Sequence, residues 1–155
     1  MQLPKPVMAP FSAGEWTEQL KLLVSEQLAE QDTTIEITIS YNAKTITADK
    51  NLINQVVLNL IYNAADALKE RNDNRRIGMQ IQNKGNSQIL INVSNNGPQI
   101  PPENLEKIFI PFFTTKKEGS GIGLALSRQI LYLHKGLLWV NSSPDETVFS
   151  LEIPA

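Results

Sequence analysis

Asn51-Leu-Ile-Asn-Gln-Val-Val-Leu-Asn59-Leu-Ile-Tyr-Asn63-Ala-Ala-Asp66-Ala-Leu68 is the stretch on which the reading of this chain turns. At about 100° per residue, Ile53, Val57, Leu60, Ile61, Ala64 and Leu68 share one face, and Gln55, Asn59, Asn63 and Asp66 form a narrow stripe on the other. The spacing predicts an amphipathic helix. Its polar stripe carries amides where a solvated helix ordinarily carries Glu and Lys. Two carboxamides one turn apart are compatible with a plain solvent face and with a magnesium-nucleotide wall. The helix alone does not choose between them.

Working outward, Asp49 is placed to cap this helix, which is expected to run to about Arg71 and stop in Asn72-Asp-Asn. Upstream, Pro4, Pro6 and Pro10 mark residues 1–11 as a linker remnant, with the domain proper spanning 12–155. Trp16, Leu20, Leu23, Val24 and Leu28 keep helical spacing. Ile35-Glu-Ile-Thr-Ile39 alternates as a half-buried strand does, and Asn42-Ala-Lys turns into a second strand at Thr45-Ile-Thr. Downstream, strands near 77–82 and 89–93 are joined by Asn83-Lys-Gly-Asn, a loop with hairpin chemistry. From Asn95 to Gly119 the prolines and glycines predict a long loop, a length that is uncommon in a compact domain unless it works as a lid. A helix over 121–134 and strands near 137–141 and 148–153 finish the chain. The order helix, hairpin, helix, hairpin, lid, helix, hairpin implies an α/β (α+β) two-layer sandwich. Its mixed, mostly antiparallel sheet would be covered on one face by helices.

With 155 residues, 41% of them hydrophobic, the chain can bury one core and is too short for two ordinary domains. A net charge of -2 leaves no electrostatic footprint for nucleic acid, and no basic amphipathic segment argues for contact with a membrane surface. The lack of cysteine removes disulfides, thiolate zinc ligands and cysteine nucleophiles, which fits a reducing compartment. One histidine excludes most histidine-based metal sites. There is neither an apolar run of about 18 residues nor a signal-peptide pattern.

Gly119-Ser-Gly121-Ile-Gly123-Leu-Ala-Leu leads directly into a helix. Glycine there lets backbone amides approach an anion, and the helix N-terminus adds a favourable partial charge. No Gly-Lys-Ser/Thr follows and no strand leads in, so it is neither a Walker A loop nor a dinucleotide fingerprint. A flexible turn with close helix packing would need the same glycines.

Four segments in order resemble the motifs of the catalytic, ATP-binding domain of sensor histidine kinases, within the wider family of gyrase, heat-shock chaperone and mismatch-repair ATPases. Gln55 to Ala64 resembles the N box, and Asn95-Asn-Gly97-Pro-Gln99-Ile100 the first glycine box. Phe109-Ile-Pro-Phe112-Phe113-Thr-Thr-Lys116 resembles the F box, and Gly119 to Gly123 the second glycine box. The resemblance covers nearly the whole chain. It implies the Bergerat fold with a long ATP lid, ATP and Mg²⁺ as cofactors, and protein-histidine kinase activity. The implied partner is a separate dimerisation domain bearing the phosphoacceptor histidine, and through it a response regulator. It further implies a cytoplasmic domain whose parent protein has room for a membrane anchor.

By the same resemblance, Asn63 and Asn59 hold magnesium, and Asn59 is also a catalytic position, where hydrolysing relatives carry a water-activating Glu. An amide takes no proton at neutral pH, so phosphoryl transfer is favoured over hydrolysis. Asp66 would support the metal's water shell or be a plain surface acid. Lys116 would reach the terminal phosphates. Nucleotide contacts carry over to Asn95, Gly97, Ile100, Phe112, Gly119, Gly121, Ile122, Gly123 and Leu124. Phe109, Phe112 and Phe113 would anchor the lid, meet a partner domain or finish the core. His134 is expected to cap a helix C-terminus or stand on the polar surface, and it does not resemble the phosphoacceptor motif.

Two positions depart from the pattern. Asn95 stands where the family has an Asp that accepts from the adenine amino group, and the loss of charge assistance is worth roughly 1 kcal/mol. Gln99 replaces a glycine, at a cost of about 1–2 kcal/mol if the backbone there keeps a positive φ. These departures keep a catalytically degenerate nucleotide-sensing or scaffolding module open as an alternative. A hydrolysing clamp ATPase is disfavoured by Asn59.

Overall fold

The computed structural model describes residues 3–114 and 121–155. The elements are β1 (Ala9–Ser12), α1 (Ala13–Glu30), β2 (Thr33–Ile39), β3 (Thr45–Ala48), α2 (Lys50–Ala67), β4 (Arg75–Lys84), β5 (Gln88–Asn95), α3 (Gly123–Leu133), β6 (Leu137–Ser142) and β7 (Thr147–Pro154). A five-stranded sheet has the order β2-β4-β5-β7-β6, parallel only between β2 and β4. The expected mixed, mostly antiparallel sheet with helices is thus observed.

Period-two burial shows which face the helices cover. Ile77, Met79 and Ile81 on β4 and Ile89, Ile91 and Val93 on β5 are buried, while Gln80 and Gln82 between them face water. Against this face packs the apolar side of α2, with Ile53, Val56, Val57, Leu60, Ile61 and Leu68 each 0% exposed. Trp16, Leu20, Val24 and Leu28 of α1 and Ile130 and Leu131 of α3 complete the same core. The helix predicted to reach Arg71 ends at Ala67 and tightens into a 3₁₀ turn over Leu68–Glu70.

Two expectations are corrected. The strand after Asn42 does not form a hairpin with β2. β3 pairs antiparallel with β1, and β2 lies parallel to β4. Parallel neighbours need a crossover rather than a tight turn, and α2 supplies it. Likewise, the proline-marked segment is not a free linker. Ala9–Ser12 form an edge strand in which Pro10 stands opposite Thr47, an arrangement that tolerates a residue without an N–H. Leu3 also packs on the core.

His134 corrects a third. It is the C-cap residue of α3 as expected, but at 3% exposure it is no surface residue. The backbone N–H of Asp49 donates to its Nε2 at 3.1 Å, and its Nδ1 lies 2.9 Å from the carbonyl of Ile130. Since a backbone N–H only donates, Nε2 is the acceptor and the proton sits on Nδ1. One imidazole thereby joins the end of α3 to the start of α2. The Asp49 carboxylate caps α2 through Leu52 N at 3.2 Å and accepts from Val7 N at 2.9 Å. The Val7 bond, aided by the Leu52 and Asn51 amides, holds the Asp49 carboxyl below its ordinary value.

A carboxyl whose folded pKa is lowered stabilises the fold above its ordinary value and stops doing so as pH falls through the folded one. Asp49→Ala is therefore expected to cost about 1 kcal/mol in urea unfolding at neutral pH. The gap to the parent chain should narrow as pH drops below about 4. His134→Leu leaves the Asp49 N–H unmatched, while the Ile130 carbonyl keeps the backbone N–H of residue 134. A loss of about 1–3 kcal/mol, measured by the same unfolding, is the expected outcome.

Candidate functional site

The polar stripe of α2 turns toward α3. Asn59 Nδ2 donates to Ser127 Oγ at 3.4 Å, a long bond, and its Oδ1 lies against Gly123 at the first turn of α3. A Cβ on Gly123 would stand 2.5 Å from that oxygen, so any other residue there would push the carboxamide aside. Asn63, one turn on, is half-buried. Asp66 forms an ion pair with Lys69 at 3.2 Å.

Ile122 is the N-cap of α3 and offers no hydroxyl or carboxylate to the first-turn N–H groups. Those donors and the helix dipole suit an anion. Phe112 N donates to Gly121 O at 2.9 Å, which brings these two residues together across the segment between them. Gly121 sits at φ +72°, and a Cβ there would meet Phe112 C and Phe113 O at 2.6 Å. Phe112 has a positive φ of its own, 69°, and is 74% exposed. Phe109 by contrast is buried edge-on to Phe149, with the Arg128 guanidinium 4.2 Å from its ring centroid. The F-box aromatics thus divide, Phe109 finishing the core, Phe112 facing water and Phe113 half-buried.

At the far end of α2, Asn95 closes β5 at 5% exposure and accepts from Gly97 N at 2.9 Å. Gly97 lies beneath the Ala67 carbonyl, near the end of α2. Ile100 N donates to Ser142 Oγ at 2.8 Å, and that hydroxyl lies 2.6 Å from Thr147 Oγ1. Gln99 is not among the residues with positive φ, so the backbone cost expected for it does not arise. Its Nε2 instead reaches Ser142 O at 3.4 Å. Ile100 and Leu124 are half-buried against the core, and Ile122 is 39% exposed.

The fold therefore brings Asn59, Gly121, Ile122, Gly123 and Leu124 together at one end, and Asn95, Gly97 and Ile100 at the other, with Asn63 and Asp66 on the helix between. Lys116 and Gly119 lie outside the described residues. Ser127, Ser142 and Thr147 escaped the sequence reading. Nothing in their local spacing signals that they reach Asn59 or Ile100 across the fold. Among the described residues, no cluster of three His, Cys, Asp or Glu could hold a metal. Neutral amide oxygens suit a magnesium ion that brings phosphate oxygens and waters of its own. No helix among the described residues is long and apolar enough to cross a membrane.

A two-layer sandwich with an amide-striped helix facing a glycine-led helix N-terminus is a nucleotide-site architecture of the GHKL kind. The chain belongs to the family described as histidine kinase-, DNA gyrase B- and HSP90-like ATPases, matching it over residues 48–155. It is 34% identical over 133 residues to the sensor histidine kinase ZraS of Salmonella typhimurium, covering 85% of this chain and 28% of ZraS. Against the histidine-protein kinase AtoS of Escherichia coli it is 41% identical over 110 residues, covering 70% of this chain and 18% of AtoS. The chain thus spans less than a third of these relatives. The solved catalytic domain of histidine kinase ThkA superposes with TM-score 0.85 at 32% identity, over 96% of this chain and 95% of that one. A ThkA structure in complex with the response regulator TrrA gives TM-score 0.82 at 29% identity, over 96% of this chain and 42% of that one.

Gly121→Ala combines a left-handed φ with a backbone clash, so a loss of at least about 1–2 kcal/mol is expected. It should appear as a lowered urea midpoint at unchanged slope.

Proposed function

We propose that this chain binds Mg-ATP and donates the γ-phosphoryl group to a histidine on a separate dimerisation and phosphoacceptor domain. It would serve a cytoplasmic two-component relay whose next recipient is a response regulator. The observation that carries this reading is the meeting of the Asn59–Asn63 stripe with the glycine-led N-terminus of α3. Amide oxygens and helix N–H groups lie side by side there, and both kinds of group suit a magnesium-bound phosphate.

Asn63 would hold the magnesium, which supplies neutralisation of phosphate charge. Asn59 keeps α3 at its distance through Ser127 and Gly123. Lacking a basic atom at neutral pH, it gives water no proton acceptor. Transfer to an imported imidazole is then the chemistry this stripe favours over hydrolysis. Lys116 would balance charge on the terminal phosphates, and the exposed Phe112 would meet the phosphoacceptor domain.

Calorimetry should detect Mg-ATP binding that Asn63→Ala weakens by about ten- to a hundredfold. With labelled ATP, the chain should remain unlabelled, and a helical domain bearing a phosphoacceptor histidine should become labelled when added. Absence of binding at millimolar ATP would sink the kinase reading and leave a scaffolding module.

A further inference from the structure

The proposed site has a direction. Asn59 meets Gly123 midway along α2 and Ala67 overhangs Gly97 at its C-terminal end. The eight residue steps from Asn59 to Ala67 span about 12 Å of helix axis. Phosphates belong at the N-terminus of α3, because its first-turn N–H groups are the anion donors. The base of a nucleotide then lies toward β5 and β7. Where β5 ends and β7 begins, the buried polar side chains are Asn95 and Thr147, partners across the two strands.

Thr147 does not discriminate among bases. Its hydroxyl, 2.6 Å from Ser142 Oγ, can donate or accept as its neighbour requires. Asn95 has less freedom. The atom 2.9 Å from Gly97 N must be the oxygen, since a backbone N–H can only donate. That bond fixes the amide and occupies one lone pair of Oδ1, and the other end of the carboxamide is then the Nδ2 donor. A carboxylate at this position would present acceptors only. Adenine carries a 6-amino donor, whereas hypoxanthine and guanine carry a 6-oxo acceptor.

We infer that Asn95 makes this a purine site that admits 6-oxopurine nucleoside triphosphates alongside ATP. Nδ2 donates to the 6-oxo group, and the second lone pair of Oδ1 serves the 6-amino group. The inference rests on the nucleotide-binding reading above and specifies which bases that site takes.

Inosine triphosphate is the direct probe, because it differs from ATP only on the 6-position edge. In calorimetric titrations of the 155-residue chain with magnesium present, the Kd for ITP is expected within about tenfold of that for ATP. Asn95→Asp should raise the preference for ATP by about tenfold or more, since a carboxylate and a 6-oxo group oppose acceptor to acceptor. A preference for ATP above tenfold in the parent chain overturns the inference and leaves the ATP site standing. So does an Asn95→Asp variant, folded by circular dichroism, whose preference is unchanged. If neither nucleotide binds at millimolar concentration, the inference and the nucleotide-binding reading fall together. The parent-chain ratio decides by itself where the carboxylate variant does not fold.

Discussion

Everything in this chain that bears on chemistry depends on how α2 is rotated about its axis. Its apolar stripe lies in the core at 0% exposure from Ile53 to Ile61, and each such side chain contributes about 1.5–3 kcal/mol by leaving water. A rotation by one residue position, about 100°, would drive Asn59 and Asn63 into the core and turn Val57 and Ile61 out of it. No single hydrogen bond could offset that. The direction in which the carboxamides point is therefore a by-product of hydrophobic burial, and the surrounding polar contacts refine it.

Those contacts hold α2 at both ends. At its start, Asp49 is joined to Val7, to the first turn of α2 and, through its backbone, to His134 at the end of α3. Near its end, the Ala67 carbonyl stands over Gly97. Between them, Asn59 touches the first turn of α3 through Gly123 and Ser127. The two helices that face the cleft are thus braced to each other at opposite ends of α3. Val7, just ahead of β1, is tied into the same brace.

Much of this was legible beforehand because it is local. Period 3.6 in 53–68 and period 2 in 35–39 mark helix and strand, and Asp49 stands where an N-cap should. The pairing of β3 with β1 was not legible. Both partners are four residues long, and nothing in either specifies whom it meets. Prolines in residues 1–11 read as a linker, and only the pairing with β3 shows that Ala9–Ser12 form a strand. Gln99 shows the reverse case. A cost inferred from a motif vanished because the backbone at that position is not in the left-handed region.

The sequence by itself determined which residues are apolar and at what period, and hence the helices, the strands and the stripe that carries Asn59 and Asn63. It also placed glycines ahead of α3 and an amide at the end of β5. Only the tertiary structure decided that His134 is a buried joint, that Asn59 braces α3 through Ser127, and that the oxygen of Asn95 is taken by Gly97. The reason is range. Periodicity and capping act over a few residues, whereas these contacts join groups whose proximity is set by the packing of the helix layer on the sheet.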